Sequence, residues 1–211
     1  MWIEFLFMPS QNIQDIQGLR KLLRDGLAYV GELIRVIVIS LAIILPIRYF
    51  LVQPFYVKGA SMEPNFYDHE YLIIDEASFR FRDPKRGEIV VFRYPNDPSQ
   101  FFIKRVIGLP GETLRIQSSR VLIKSKDSKT WATLEEPYLS RSAVTIGDKE
   151  VSLGAEEYFV IGDNRTSSLD SRVFGPVLRD YIVGRAWIRG WPLDRVTRFL
   201  TPNYEINTGE L

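Results

Sequence analysis

Three short stretches carry side chains able to do chemistry. Ser61 lies in Gly59-Ala60-Ser61-Met62-Glu63-Pro64, and Lys104 in Phe101-Phe102-Ile103-Lys104-Arg105-Val106-Ile107-Gly108-Leu109-Pro110-Gly111-Glu112. Residues 162–175 read Gly-Asp-Asn-Arg-Thr-Ser-Ser-Leu-Asp-Ser-Arg-Val-Phe-Gly. A serine hydroxyl needs a base before it can act as a nucleophile. The single histidine, His69, sits in the polar turn Tyr67-Asp68-His69-Glu70, where an exposed surface residue is the simpler reading. A Ser-His-Asp triad would rest wholly on it, whereas a neutral lysine needs no histidine. Strand alternation groups Phe102, Lys104 and Val106 on one face. Among such neighbours the ammonium form is disfavoured and the pKa falls from its usual value of about 10.4.

Taken singly, each stretch has an ordinary alternative. Ser61 is also a typical turn residue. Lys104 is equally an edge lysine reaching to water, and residues 162–175 a polar loop. Asp163, Asn164 and Asp170 have the chemistry of metal ligands, but their spacing lacks the calcium-loop pattern and its bidentate glutamate.

The elements that must position these residues divide the chain. The composition, 45% hydrophobic and 25% charged over 211 residues, is that of a globular protein with room for a core. The absence of cysteine excludes a disulfide framework, a thiolate zinc site and a cysteine nucleophile. A formal net charge of +1 gives no reason to expect nucleic acid as a partner. Residues 36–47 form an apolar run between Arg35 and Arg48. Extended over 33–52, the run reaches the roughly 20 residues that a bilayer span needs, with Tyr49, Phe50, Phe55 and Tyr56 at one interface. Arg20, Lys21, Arg24 and Arg35 precede the run, which favours a cytoplasmic amino terminus by the positive-inside rule. Within residues 1–32, Ile13, Ile16, Leu19, Leu23 and Leu27 have the spacing of an amphipathic helix.

After Pro54 the pattern changes to short β-branched and aromatic runs punctuated by glycine and proline. Strands are expected at Tyr71–Asp75, Glu88–Tyr94, Phe101–Ile107, Thr113–Ile116, Val121–Lys124, Tyr158–Ile161 and Val183–Ile188. The fourth and fifth flank a Gln-Ser-Ser-Arg turn and read as a hairpin. The expected fold is mainly β: an antiparallel domain over 53–200, with 125–157 as an insertion or extended loop and 201–211 as a flexible tail.

The three stretches, in this order, resemble the boxes of type I signal peptidases, membrane-bound serine proteases that remove signal peptides from exported preproteins. Ser61-Met62-Glu63-Pro64 is similar to their nucleophile box, and Lys104 to Glu112 to their lysine box. Arg86-Gly87-Glu88-Ile89-Val90-Val91-Phe92 is similar to a strand of that family. Gly162-Asp163-Asn164-Arg165, Ser168, Asp170-Ser171-Arg172 and Phe174-Gly175 resemble its carboxy-terminal box. The resemblance covers residues 35–195.

It implies Ser61 as nucleophile and Lys104 as general base, with Ser168 hydrogen-bonded to the lysine amine. Asp163, Asp170 and Arg172, with Arg165 a weaker candidate, would hold that geometry. No cofactor or metal is implied. Substrates would be signal peptides of exported preproteins, cut after small residues in an Ala-x-Ala pattern, with pockets drawn from Val57, Met62, Phe66, Phe102 and Ile103. The lipid bilayer is a further implied partner, and the translocation machinery another. The enzyme would be single-pass in the cell membrane, with its catalytic domain on the exported side. Some members place a serine hydroxyl two residues before the nucleophile as an oxyanion donor; here that position is Gly59. Two rival readings stand beside this one: another Ser-Lys peptidase of related fold, and a membrane-tethered β-domain that binds without catalysis.

Overall fold

The computed structural model describes residues 11–50, 52–126, 128, 130–140, 143–201 and 206–207. The chain divides into two units, residues 1–48 and 49–211. The first is a helix, α1, that runs Gln11–Phe50 as one element, because Gly18, Gly26 and Gly31 within it are tolerated interruptions rather than stops. Residues 17–46 are exposed throughout. Gln17–Pro46 is long and apolar enough to cross a membrane by length and composition. The sequence pattern separates residues 1–32 from an anchor at 33–52. The helix is instead continuous from Gln11, and Val52 already belongs to the first strand.

The second unit is antiparallel β throughout, as the sequence pattern predicts. Its strands are β1 (Val52–Tyr56), β2 (Tyr71–Asp75), β3 (Ile89–Tyr94), β4 (Asp97–Gly108), β5 (Thr113–Gln117), β6 (Arg120–Lys124), β7 (Ala132–Leu134), β8 (Lys149–Ser152), β9 (Glu157–Ile161), β10 (Val177–Leu178), β11 (Ile182–Trp191), β12 (Thr197–Arg198) and β13 (Ile206–Asn207). A single helical turn, α2 (Ser171–Phe174), follows β9. One sheet has the order β1-β2-β11-β3-β4-β9-β10, with β12 added to β11; the other has the order β13-β7-β6-β5-β8.

Strand β3 shows why its sequence reads as a continuous apolar run. Ile89 and Val91 pack into a core with Val57, Met62, Phe66 and Leu72. Val90 and Phe92 pack on the other face with Val106, Val160 and Val177. Alternate side chains leave opposite faces of a strand, so a sheet covered on both faces needs apolar residues at every position. A third cluster, built on Ile107, Leu114, Ile116, Phe159 and Ile161, joins the two sheets.

The expected β5–β6 hairpin is present, register Ile116 opposite Val121. Ser118 and Ser119 both take left-handed conformations, φ 50° and 61°, the geometry of a two-residue turn whose twist matches its strands. Residues 125–157 are less of an insertion than their polarity suggests. They supply β7 and β8, which flank that hairpin in the second sheet. Of the segment 201–211, Ile206–Asn207 pairs with β7 and Thr201 bonds to Glu88; the rest lies outside the described residues.

Candidate active site

Ser61 occupies the turn that leaves β1. Met62 and Phe66 are buried in the core and fasten the turn from beneath, and Phe66 N–H closes on Met62 O at 2.9 Å. The preceding Gly59 has φ +85°, a conformation that a glycine adopts without strain. Its N–H donates to Asp68 Oδ1 at 2.9 Å.

Lys104 lies on β4 opposite Val90 and is 4% exposed. Its Nζ stands 2.7 Å from Ser61 Oγ and 2.8 Å from Ile103 O. Burial pushes its pKa from 10.5 down to about 8, against the opposing pull of Asp170 and Asp163. Desolvation disfavours the ammonium and leaves a free amine within ordinary reach of the hydroxyl proton.

The loop 162–170 ties the two chemical residues together. Asp163 takes a bidentate pair of bonds from buried Arg105, at 2.8 and 2.6 Å. It also accepts from Asn65 Nδ2 at 2.8 Å, so the neighbour of the lysine and the Ser61 turn share one carboxylate. Asn164 N–H donates to Ser61 O at 3.1 Å, and its Nδ2 donates to Ala60 O at 3.0 Å. Asp170 is fully buried. Although burial opposes its ionisation, bonds from Arg172 and from Gly162 N–H hold its pKa below the usual carboxylate value. It caps α2 through Arg172 N–H. Arg165 is bonded to Glu136 and Thr145, which brings the 125–157 segment against this loop. Both aspartates are thus engaged by arginines.

Ser168 does not make the bond expected of it. Lys104 Nζ is taken up by Ser61 and Ile103. The Ser168 hydroxyl is buried beside the Asp170 carboxylate, helping to keep it ionised, but without a hydrogen bond of good geometry. The serine instead packs on Gly162: a Cβ there would stand 2.1 Å from Ser168 Oγ and 2.4 Å from Ser61 O. His69 is exposed and contacts Tyr56 and Asp68.

A cleft of about 480 Å³ opens beside the pair, lined by Val57, Ser61, Phe101, Phe102, Ile103 and Lys104 among others. Val57, Phe102 and Ile103 line it. Met62 and Phe66 do not: both point into the core, because a turn must bury some of its side chains to be held rigidly. Among the described residues, strand β1 pairs only with β2, and the Phe101–Lys104 stretch of β4 only with β3. Two unpaired strand edges therefore border the cleft.

Residues 30–191 match the family model described as signal peptidase, peptidase S26. The chain belongs to this family. A probable signal peptidase I-2 of Synechocystis sp. is 38% identical over 172 residues, covering 78% of this chain and 75% of the relative. Signal peptidase I of Leptolyngbya laminosa is 39% identical over 174 residues, covering 78% and 81%. A crystal structure of a signal peptidase I from Enterococcus faecalis V583 aligns at TM-score 0.42 with 30% identity, over 49% of this chain and 97% of that one. The protein is accordingly a serine peptidase. Sequence reasoning misses Asn65, Arg105 and Asn164 as parts of the site. Arg105 had a signal, its place next to the lysine, and Asn164 had one in its place within the carboxy-terminal box; Asn65 acts on a distant carboxylate and had none.

Proposed function

We propose that this signal peptidase removes amino-terminal signal peptides from exported preproteins with Ser61 as nucleophile and Lys104 as base. The observation that carries the reading is the 2.7 Å contact between Ser61 Oγ and a buried amine whose pKa lies at about 8. The neutral amine takes the hydroxyl proton as Oγ bonds to the scissile carbonyl carbon. The resulting ammonium returns that proton to the leaving amine when the C–N bond breaks. Water, deprotonated by the same lysine, then releases the signal peptide from the acyl-enzyme.

The two unpaired strand edges would bind an extended substrate by main-chain hydrogen bonds. Val57, Phe102 and Ile103 would restrict the side chains entering the cleft to small ones, as an Ala-x-Ala site requires. Helix α1 would anchor the enzyme in the bilayer with its amino terminus cytoplasmic, the side favoured by Arg20, Lys21, Arg24 and Arg35.

The test is cleavage of a preprotein by the purified, detergent-solubilised chain. Wild type should trim at the Ala-x-Ala site, Ser61→Ala and Lys104→Ala should be inactive, and His69→Ala should retain activity. Undiminished cleavage by Ser61→Ala would sink the mechanism.

A further inference from the structure

The Ser61–Lys104 pair explains how the nucleophile is activated but not what aims the donor that must receive the oxyanion. In the proposed mechanism that donor is the backbone N–H of the nucleophile itself, Ser61, and it shares one peptide unit with the Ala60 carbonyl. The unit is trans and planar, so its oxygen and its N–H project in opposite directions. Whatever fixes the Ala60 oxygen therefore fixes the bearing of the Ser61 N–H.

Asn164 Nδ2 grips that oxygen at 3.0 Å. The Glu63 N–H reaches the same oxygen at a longer 3.2 Å. The asparagine side chain is itself braced, since its Oδ1 accepts from Thr166 Oγ1 and Ser167 N–H, each at 3.2 Å. Its backbone N–H meanwhile holds Ser61 O. Residue 164 thus clamps the peptide on each side of the nucleophile. Gly59 increases the demand on this clamp: it has no side-chain donor, and its own N–H is engaged by Asp68.

We propose that Asn164 is a positioning residue for the oxyanion hole, aiming the Ser61 N–H at the tetrahedral intermediate through the far end of the same peptide. Donation to the carbonyl also polarises the amide, which makes its N–H a better donor. The inference rests on Ser61 being the nucleophile.

Asn164→Ala and Asn164→Asp, made in the full chain and purified in detergent, test it. The first removes the donor. The second keeps the shape and the Oδ1 contacts but turns a carboxylate oxygen toward the Ala60 carbonyl. Three readouts are needed: kcat and KM on a preprotein peptide, affinity for a peptide aldehyde ending in Ala-x-alaninal, and affinity for the corresponding alcohol. The aldehyde forms a hemiacetal whose oxygen occupies the hole; the alcohol binds without one.

In both variants kcat should fall about 100-fold, the lower end of the cost of losing an oxyanion donor. Aldehyde affinity should fall in step, while KM and the alcohol affinity stay in place. A kcat within about threefold of wild type in a folded variant, unchanged aldehyde affinity or a loss confined to KM would overturn the proposal. If Asn164→Ala fails to fold, Asn164→Asp decides the matter by the same three readouts. Ser61→Ala separates the two readings: if it stays active the nucleophile assignment fails, and if it is dead while both Asn164 variants match wild type, only this inference fails.

Discussion

The burial of Lys104 makes a quantitative demand on the pH dependence of the enzyme. A base of pKa about 8 is about one-tenth neutral at pH 7, whereas at an unperturbed 10.5 only about 3 in 10,000 molecules would be. In the proposed mechanism, burial therefore raises the population of competent enzyme at neutral pH roughly 300-fold. The profile of kcat/KM for a preprotein peptide should rise about tenfold per pH unit below pH 8 and level off above it. Asp170 and Asp163 pull the lysine toward its charged form, so removing a carboxylate favours the free amine. Asp170→Asn should therefore move the rising limb to lower pH even as it lowers the plateau. Lys104→Arg, which cannot lose its proton in this range, should be inactive at every pH. The profile is best measured at low substrate in detergent, where slow product release does not mask the chemical step. A limb centred near pH 10, a flat profile, or a shift to higher pH in Asp170→Asn would refute the reasoning.

The same burial bears on stability. The folded pKa of Lys104 lies below the unfolded value, so between pH 8 and 10.5 the unfolded chain holds the extra proton. Stability from this group therefore rises with pH across that window, and near pH 7 the buried lysine costs on the order of 3 kcal/mol. Lys104→Met should raise the urea midpoint at pH 7, with the gain shrinking toward pH 10.5. Gly162→Ala forces a Cβ to within 2.4 Å of Ser61 O; thermal unfolding should show a loss of about 1–3 kcal/mol, and activity should fall with it. Arg105→Leu strands the buried Asp163 carboxylate, which should cost about 3–5 kcal/mol in denaturation.

Much of this architecture is legible from residue pattern because the catalytic unit is built from strands of ordinary β composition. Tyr71–Asp75 appears as expected, and the limits of β3, β5, β6 and β9 shift by a residue at one end. β1 escapes the pattern because Pro54 interrupts it, and proline is tolerated there only because the strand lies at an edge. β7 and β8 escape it because three or four residues of mixed polarity carry too little periodicity to register. The proposed catalytic pair is legible because its flanking motifs are distinctive. Chain proximity to Ser61 does not show that Met62 and Phe66 turn inward, since facing is decided by the turn and not by the composition. Nor can sequence place Asn65 and Asn164, whose partners lie about a hundred positions away.

The pairing of β3 with β4 has a bearing on which side chain stands beside Ser61. Val90 stands opposite Lys104, and Ile89 opposite Arg105. Slipping a strand by one residue carries every side chain to the other face. A slip that brought Arg105 opposite Val90 would put a guanidinium, permanently protonated, where the amine stands, and Asp163 would lose its two-pronged partner. The register of β3 on β4 is therefore what keeps the buried amine, and not its guanidinium neighbour, beside Ser61.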